Sequence, residues 1–432
     1  MTNPITFAFK SKGRLALIKR ARSIAKRYSL TPIQMDRALQ QFSDVLQRFD
    51  CGATLPITAV TLKRHSDTIT KYLDKNFEFA VHGFTHVDYS HLAPELQAAH
   101  LHLARQVFTQ AGINPTGFRS PYLSRESNLN SAIKSAGYSY VSNQPILWDV
   151  IVPDALNPFA TTGYEQAVAF YNPWRIGERL SLPLLKDQLV EIPVSLPDDE
   201  ILIDRLGGAN DIVKETWLRI LSQSYKLGEL FTLQLHPERI KLCADGLLAV
   251  LSKACALTPK VWCARLDEIA TWWKARSEAT IEVSTKNDGE YHCIVNGPNG
   301  TTVLARAVQV NIPSSPWMNG YRALKATHFN VQSPMRPFIG VSPSTSIELL
   351  HFLRQQGFLV EISQESMLYS CFIDQVNYDG SQERAVLDKI EGTGCSLIRL
   401  GRWPDGAQSA LAVTGDIDAL TLWDYGLRLI GK

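Results

Sequence analysis

Residues 409–426 read "SALAVTGDIDALTLWDYG". A short apolar run from Ala410 to Val413 ends in Thr414 and Gly415. Two aspartates follow, Asp416 and Asp418, and then a helix-like pattern begins. The aspartates stand at i and i+2, so their side chains point the same way while the chain stays extended. They could hold a cation and face its water together. Equally, Asp418 could cap the helix that follows, as aspartates commonly do. No chemical partner lies nearby in sequence, so their meaning depends on the rest of the chain.

The chain has 432 residues, enough for two or three domains and a large core. Its 45% hydrophobic and 20% charged content is that of a soluble globular protein. The net charge of +2 implies no polyelectrolyte partner and argues against nucleic acid. Seven cysteines, with no CxxC, fit free thiols better than a disulfide framework. The N-terminus lacks the long apolar region of a signal peptide, and no run suits a spanning helix. The expected compartment is the cytoplasm. Residues 1–30 carry eight basic residues and no acid. Over 14–29 the apolar residues Leu17, Ile18, Ala21, Ile24, Ala25 and Tyr28 recur at helical spacing. This helix either packs on the body of the protein or, through residues 10–28, touches an anionic membrane surface from the cytoplasmic side.

Beyond it, strand and helix patterns alternate. A helix is expected over about 33–49, and "CGATLPITAV" reads as a buried strand. "FEFAV" is a strand leading into "HGFTH". Helices follow over about 94–111 and 127–136, and 150–190 reads as long loops. "LVEIPVS", "LFTLQLH" and "KVWCARL" are strands, with helices at 210–226, 244–256 and "DEIATWWKARS" between and after them. This order argues for a parallel α/β sheet or barrel. The expected division is a basic segment 1–30, a barrel over 31–277, a small antiparallel β unit over 278–315, and an α/β accessory region over 316–403. A strand and helix over 404–432 come last. Asn-Asp-Gly and Gly-Pro-Asn-Gly turns mark the β unit.

Polar residues cluster at the predicted strand ends. His82 and His86 follow "FEFAV" four apart. On a helical turn that spacing puts both imidazoles on one face, about 5–6 Å apart at Cβ. That would suit two ligands of one borderline metal ion, although two unrelated surface histidines would look the same. "RSPY" offers Arg119 and Tyr122, and "LQLH" offers His236. In α/β folds, residues at the carboxyl ends of strands converge on the active site. Read singly, Arg119 could be a surface ion pair and His236 a solvent-facing strand end.

Taken together and in this order, "HGFTH", "RSPY" and the late "LQLH" resemble the polysaccharide deacetylases (NodB-homology, carbohydrate esterase family four). "ATLPITA", "EIPVSLP" and "EIATWW" add to the likeness, which covers about residues 30–275. The resemblance implies a distorted (β/α) barrel that hydrolyses acetyl groups on sugars. That family's first motif is an aspartate pair at the end of its first strand, and no such pair precedes residue 50. "TGDID", in "RWPDGAQSALAVTGDIDALTLWDYG", resembles the missing motif. The resemblance then implies a circularly permuted barrel, its first strand at the C-terminus, completed within the chain or by strand exchange with a second copy.

Carried over, the resemblance makes Asp418, His82 and His86 ligands of one divalent metal ion: zinc, or else cobalt, nickel or manganese. Asp416 becomes the general base, paired with Arg119. The Tyr122 backbone N–H becomes an oxyanion donor, and His236 the general acid. Trp148, Asp149 and Leu235 would line the substrate pocket, with Asp149 the nearest candidate for the aspartate that holds the acid histidine. The implied substrate is an acetylated sugar or oligosaccharide. Three points depart from the pattern. Ile417 separates the aspartates, Gln234 stands where leucine is usual, and the histidine-holding aspartate is unclear. Two alternatives stand: a related hydrolase of a non-sugar amide, allantoinase-like, and a degenerate barrel kept as a binding module.

Overall fold

The computed structural model describes residues 24, 27–152, 156–208 and 210–432. Most of the basic helix expected over 14–29, and of the membrane-contact segment 10–28, therefore lies outside the described residues. No helix among the described residues is long and apolar enough to cross a membrane.

The molecule is built on one curled nine-stranded sheet. In chain order its strands are β1 (Ala53–Ile57), β2 (Phe77–Val81), β3 (Gly117–Phe118) and β4 (Tyr140–Val141). Then come β5 (Leu184–Lys186), β6 (Leu189–Glu191), β7 (Leu230–Leu235) and β8 (Val261–Cys263). The last is β9 (Ser409–Gly415). Their order in space is β7-β9-β1-β2-β3-β4-β6-β5, with β8 also pairing β9. Every pairing is parallel except β5 with β6. Parallel strands need crossover connections, and helices supply them, such as Pro94–Gln110 and the adjoining pair Asn210–Leu227 and Ile240–Ala256. The result is an α/β half-barrel of the distorted kind.

The strand that carries the two aspartates lies inside this sheet. β9 aligns with β7 from Leu230↔Ala410 to Leu235↔Gly415. On its other edge β8 flanks its beginning, Val261↔Ser409 to Cys263↔Leu411, and β1 flanks its end at Thr54↔Thr414. A bridge between Ile57 and Ile417 extends that contact to the residue between the aspartates. All seven residues of β9 are buried. Its side chains alternate between two cores, as the strand period requires. Leu411 and Val413 join the core that α1 (Ile33–Gln47) covers with Met35, Leu39, Phe42 and Leu46. Ala410 and Ala412 face the other core, with Trp273 and Trp403. Gly415 is needed where β9 ends. A Cβ there would stand 2.9 Å from the Leu55 side chain and 3.0 Å from that of Pro237.

Two expectations are corrected. The loop expected over 150–190 contains a helix, Pro158–Tyr171. Its start signals were in the sequence: Asn157 caps the Ala160 amide and Pro158 occupies the first turn. The expected separation between 278–315 and 316–403 is bridged by hydrogen bonds. Strand Val303–Arg306 pairs with Tyr321–Leu324 on one side and Leu397–Leu400 on the other. Strand Glu290–Asn296 likewise pairs with His328–Gln332. A short parallel sheet centred on Arg336–Val341 completes this part.

Because β9 is central, its apolar residues should carry much of the stability. Leu411→Ala should cost about 2–5 kcal/mol in urea unfolding. Trp423→Ala, at a side chain 69% exposed, should change stability by less than about 0.5 kcal/mol.

Candidate active site

Four strand ends bring the polar residues together. His82 directly follows β2, and its amide donates to the Ile57 carbonyl, 2.9 Å, so the β1–β2 pairing seats it. The segment to His86 is not helical; the two ring centroids nevertheless lie 5.2 Å apart. The intervening turn needs Gly83, whose φ is 83° and whose Cβ would meet the Tyr89 ring at 2.9 Å. His82 Nδ1 lies 2.8 Å from the Arg119 carbonyl oxygen. As the donor there, Nδ1 leaves Nε2 with its lone pair directed elsewhere.

That lone pair faces Asp418. Its Oδ1 lies 3.4 Å from His82 Nε2 and 3.2 Å from His86 Nε2. Three such donors around a tetrahedral ion, at bonds of about 2.0–2.1 Å, would stand about 3.3 Å apart. Asp418 Oδ1 and His86 Nδ1 are buried without a hydrogen-bond partner, and all three residues are at most 6% exposed. The donor set therefore fits a divalent ion of the kind imidazole and carboxylate share. Asp418 caps no helix. The following helix, α2 (Leu422–Arg428), is capped by Thr421 and Asp424 in a reciprocal box.

Asp416 stands on the same side of the chain, 3% exposed. Arg119 Nη1 donates to its Oδ1 at 2.8 Å and to Thr414 Oγ1 at 2.9 Å. The rest of the Arg119 guanidinium is fixed by Ser142, through its carbonyl and its hydroxyl. Gln234 Nε2 donates to Asp416 Oδ2 at 3.1 Å, which gives the unusual glutamine a task. The Asp416 amide donates to the Leu235 carbonyl, so His236 follows β7 beside the aspartate pair.

His236 is held by a residue that the sequence reading missed. Its Nδ1 lies 2.9 Å from Asp199 Oδ1, and Asp199 is fully buried. Burial alone would depress the imidazole, but the charge and hydrogen bond of Asp199 outweigh it and hold His236 well above its usual value. Asp199 in turn is held below the usual carboxylate range: burial opposes this, but His236 and Arg239 prevail. The signal was "LPDDE", three acids one residue beyond a strand. Asp149, expected in this role, instead projects into solvent with Arg175 3.9 Å away. Trp148 and Leu235 are packed in the core, Trp148 donating to Ser195. Neither side chain lies open to a substrate.

Two further residues shape the mouth. Tyr122 has a left-handed backbone, φ 61°, and its ring stands edge-on to His86 at 4.7 Å. Arg428, also missed, comes from the last turn of α2 and places Nη1 2.6 Å from Asp418 Oδ2. It leaves only Oδ1 facing the imidazoles. Burial, and then the Arg428 charge, push His86 down to about 4, so its ring is neutral at physiological pH. Burial opposes ionisation of Asp418, but Arg428 and the two imidazoles together outweigh it and hold that carboxylate well below its usual range.

The geometry defines a class: an α/β half-barrel with a His-His-Asp donor group, a guanidinium-held carboxylate and a carboxylate-held imidazole at the carboxyl ends of its strands. Residues 32–141 match the family model described as polysaccharide deacetylase. Similar solved structures include one assigned to the polysaccharide deacetylases, from Mycobacterium smegmatis, at 20% identity. It covers 54% of this chain and 76% of that one, with a TM-score of 0.42. The allantoinase PuuE matches at 18% identity over 55% and 72% of the two chains, TM-score 0.42. A further one assigned to the polysaccharide deacetylases, from Pseudomonas aeruginosa PAO1, matches at 17% over 55% and 72%, TM-score 0.42. No curated protein matches the chain.

The His236–Asp199 pair sets a pH dependence. Protonated His236 stabilises the native state below the ordinary imidazole pKa, and that contribution is lost as pH rises through the raised one. Asp199→Asn should lower the His236 titration by about 1–3 pH units, followed by NMR, and move the alkaline limb of any activity with it.

Proposed function

We propose that the protein is a metal-dependent hydrolase that removes the acetyl group from an N-acetylated sugar or oligosaccharide. The observation that carries the reading is the meeting of Asp416 and Asp418 with His82 and His86 at the strand ends of one sheet, at least 330 residues apart in sequence. His82 Nε2, His86 Nε2 and Asp418 Oδ1 would hold the ion, zinc by preference. When bound, it would acidify a water and polarise the acetyl carbonyl.

The chain's own residues supply the rest. Asp416 takes the proton of the attacking water. Arg119 keeps it oriented, and Gln234 occupies only one lone pair of Oδ2, leaving room for the proton. The Tyr122 N–H faces the oxyanion that forms at the carbonyl. As the C–N bond breaks, His236 gives the proton on Nε2 to the departing amine, while Nδ1 stays on Asp199. Acetate and the free amine leave. Tyr122 and Phe170, 6.3 Å apart and both exposed, offer an aromatic edge for a sugar ring.

We also propose that the barrel is circularly permuted and completes its site within one chain. Both junctions lie close. The Leu422 amide donates to the Ser29 carbonyl, 2.9 Å, and Tyr425 packs on Tyr28 with centroids 5.6 Å apart. At the other junction Trp272 donates to the Arg402 carbonyl, 2.9 Å, and Trp273 packs on Trp403.

Asp416→Asn should lower kcat on an N-acetylated oligosaccharide by about 10²–10⁴-fold while calorimetry still finds one bound zinc. Asp418→Asn should lose the zinc itself. If ureides are hydrolysed and acetylated sugars are not, the substrate reading is wrong though the metal site stands. The permutation has its own check. A rearranged chain that begins at residue 278, with residue 432 joined by a short Gly-Ser linker to residue 27 and ending at 277, should fold and bind zinc like the parent. Failure of zinc binding only in the rearranged chain would count against the permutation alone.

A further inference from the structure

A second polar cluster lies at the opposite end of β9, where the barrel meets residues 384–402. Five arginines are buried there: Arg276 (5% exposed), Arg306 (4%), Arg384 (9%), Arg399 (5%) and Arg402 (7%). The carboxylates that meet them are fewer. Glu229 pairs with Arg384 at 2.7 Å, and Glu391 takes Arg306 at 2.8 Å and Arg399 at 3.6 Å. Arg276 and Arg402 find only backbone carbonyls: Gly401 and Gln355 for Arg276, Leu227 and Gly228 for Arg402. Four buried guanidinium nitrogens have no hydrogen-bond partner: Arg276 Nη2, Arg399 Nε and Nη1, and Arg402 Nε, with only the Glu391 carboxylate 3.6 Å from Arg399 Nη1.

Such a cluster is costly unless a counter-charge joins it. Burying an unpaired cation is far less favourable than burying a paired one. The strain is visible in the charges. Burial, together with the neighbouring guanidinium groups, pushes Arg276 down to about 9 and Arg402 down to about 10. Aromatic faces offset part of this, since Arg399 lies over Tyr321 and Phe358 and Arg276 over Trp273. They do not supply a negative charge.

A cavity of ≈ 90 Å³ opens on the cluster, lined by Arg384, Arg399, Arg402, Lys226, Trp317 and Gln408. Two carboxylates also line it, Glu391 and the exposed Asp388. The positive groups still outnumber them. The volume suits a small tetrahedral anion and excludes a sugar chain. Unpaired guanidinium donors favour phosphate oxygens, which they bind in fork geometry.

We propose that this cavity is a phosphate-binding site, taking inorganic phosphate or the phosphate group of a small metabolite between Arg399 and Arg402, with Lys226 at the mouth. The ligand ties the barrel to the 384–402 segment. It grips β9 just before Ser409, about 25 Å from Asp416 at the strand rise of about 3.3 Å per residue. The site is thus separate from the catalytic centre and independent of the reaction assigned there.

The test is the melting temperature of the full chain at constant ionic strength, with chloride replaced by phosphate, by sulfate, or by a sugar 1-phosphate. Phosphate at 10 mM should raise it by about 3 °C or more over chloride. A matching shift with sulfate supports a free oxyanion. A shift with the sugar phosphate alone supports a carried one. Arg402→Met should abolish the shift. Two exposed positions guard against misfolding. Lys226→Glu should weaken phosphate binding about three- to tenfold by calorimetry, and Asp388→Asn should tighten it, with chloride melting unchanged. Equal melting in chloride and all three oxyanions, or a phosphate shift untouched by Lys226→Glu and Asp388→Asn, overturns the proposal.

Discussion

The pairing of β9 with β7, β8 and β1 is the constraint on which the rest of the molecule depends. It threads the end of the chain into the middle of a sheet built from residues 53–263. Both its edges are hydrogen-bonded and both its faces are buried. Its register fixes which residues reach the lip. Thr414 lies opposite Gln234 on one edge and Thr54 on the other, so Asp416 and Asp418 leave the sheet beside the ends of β7 and β1. A shift of one residue would turn Leu411 and Val413 out of their core and the carboxylates away from the site. Stability and chemistry therefore rest on the same hydrogen bonds.

The site divides its carboxylates by environment. Asp418 meets two imidazoles through one oxygen and Arg428 through the other. Asp416 is held by Arg119 and Gln234, and Asp199 serves His236. Each acid thus has a different partner, and in the proposed reaction that partner would decide whether it ligates, accepts a proton or orients. Arg428 is the unusual member. A guanidinium on the anionic ligand lowers the net negative charge of the donor group, and so the electrostatic pull on a cation, while sharpening which oxygen is presented. It arrives from α2, whose capping box at Thr421 and Asp424 is itself tied to His65.

Much of this was legible in the sequence. The alternation of strands and helices, the histidine pair, Arg119, His236 and the two aspartates all stood out, because each sits at the end of an apolar run. What sequence misplaced has a common cause. Asp149 follows an apolar run just as Asp199 does, and only packing decides that one faces Arg175 in solvent while the other lies buried under His236. Leu235 lies between Gln234 and His236, and the face it occupies is the core, where Trp148 is packed as well. Arg428 looked like an ordinary basic residue in the last turn of a helix.

By itself, the sequence determined the local elements and the chemical types at their ends, since periodicity and capping act over a few residues. It also determined that an aspartate pair exists, far along the chain from the histidine motif. Only the tertiary structure decided that the last strand enters the sheet between β7 and β1, which side chains then share a site, and that five arginines collect at its far end. Those outcomes depend on pairing across hundreds of residues. Burial and hydrogen-bond satisfaction in the whole fold select that pairing, and no local pattern contains it.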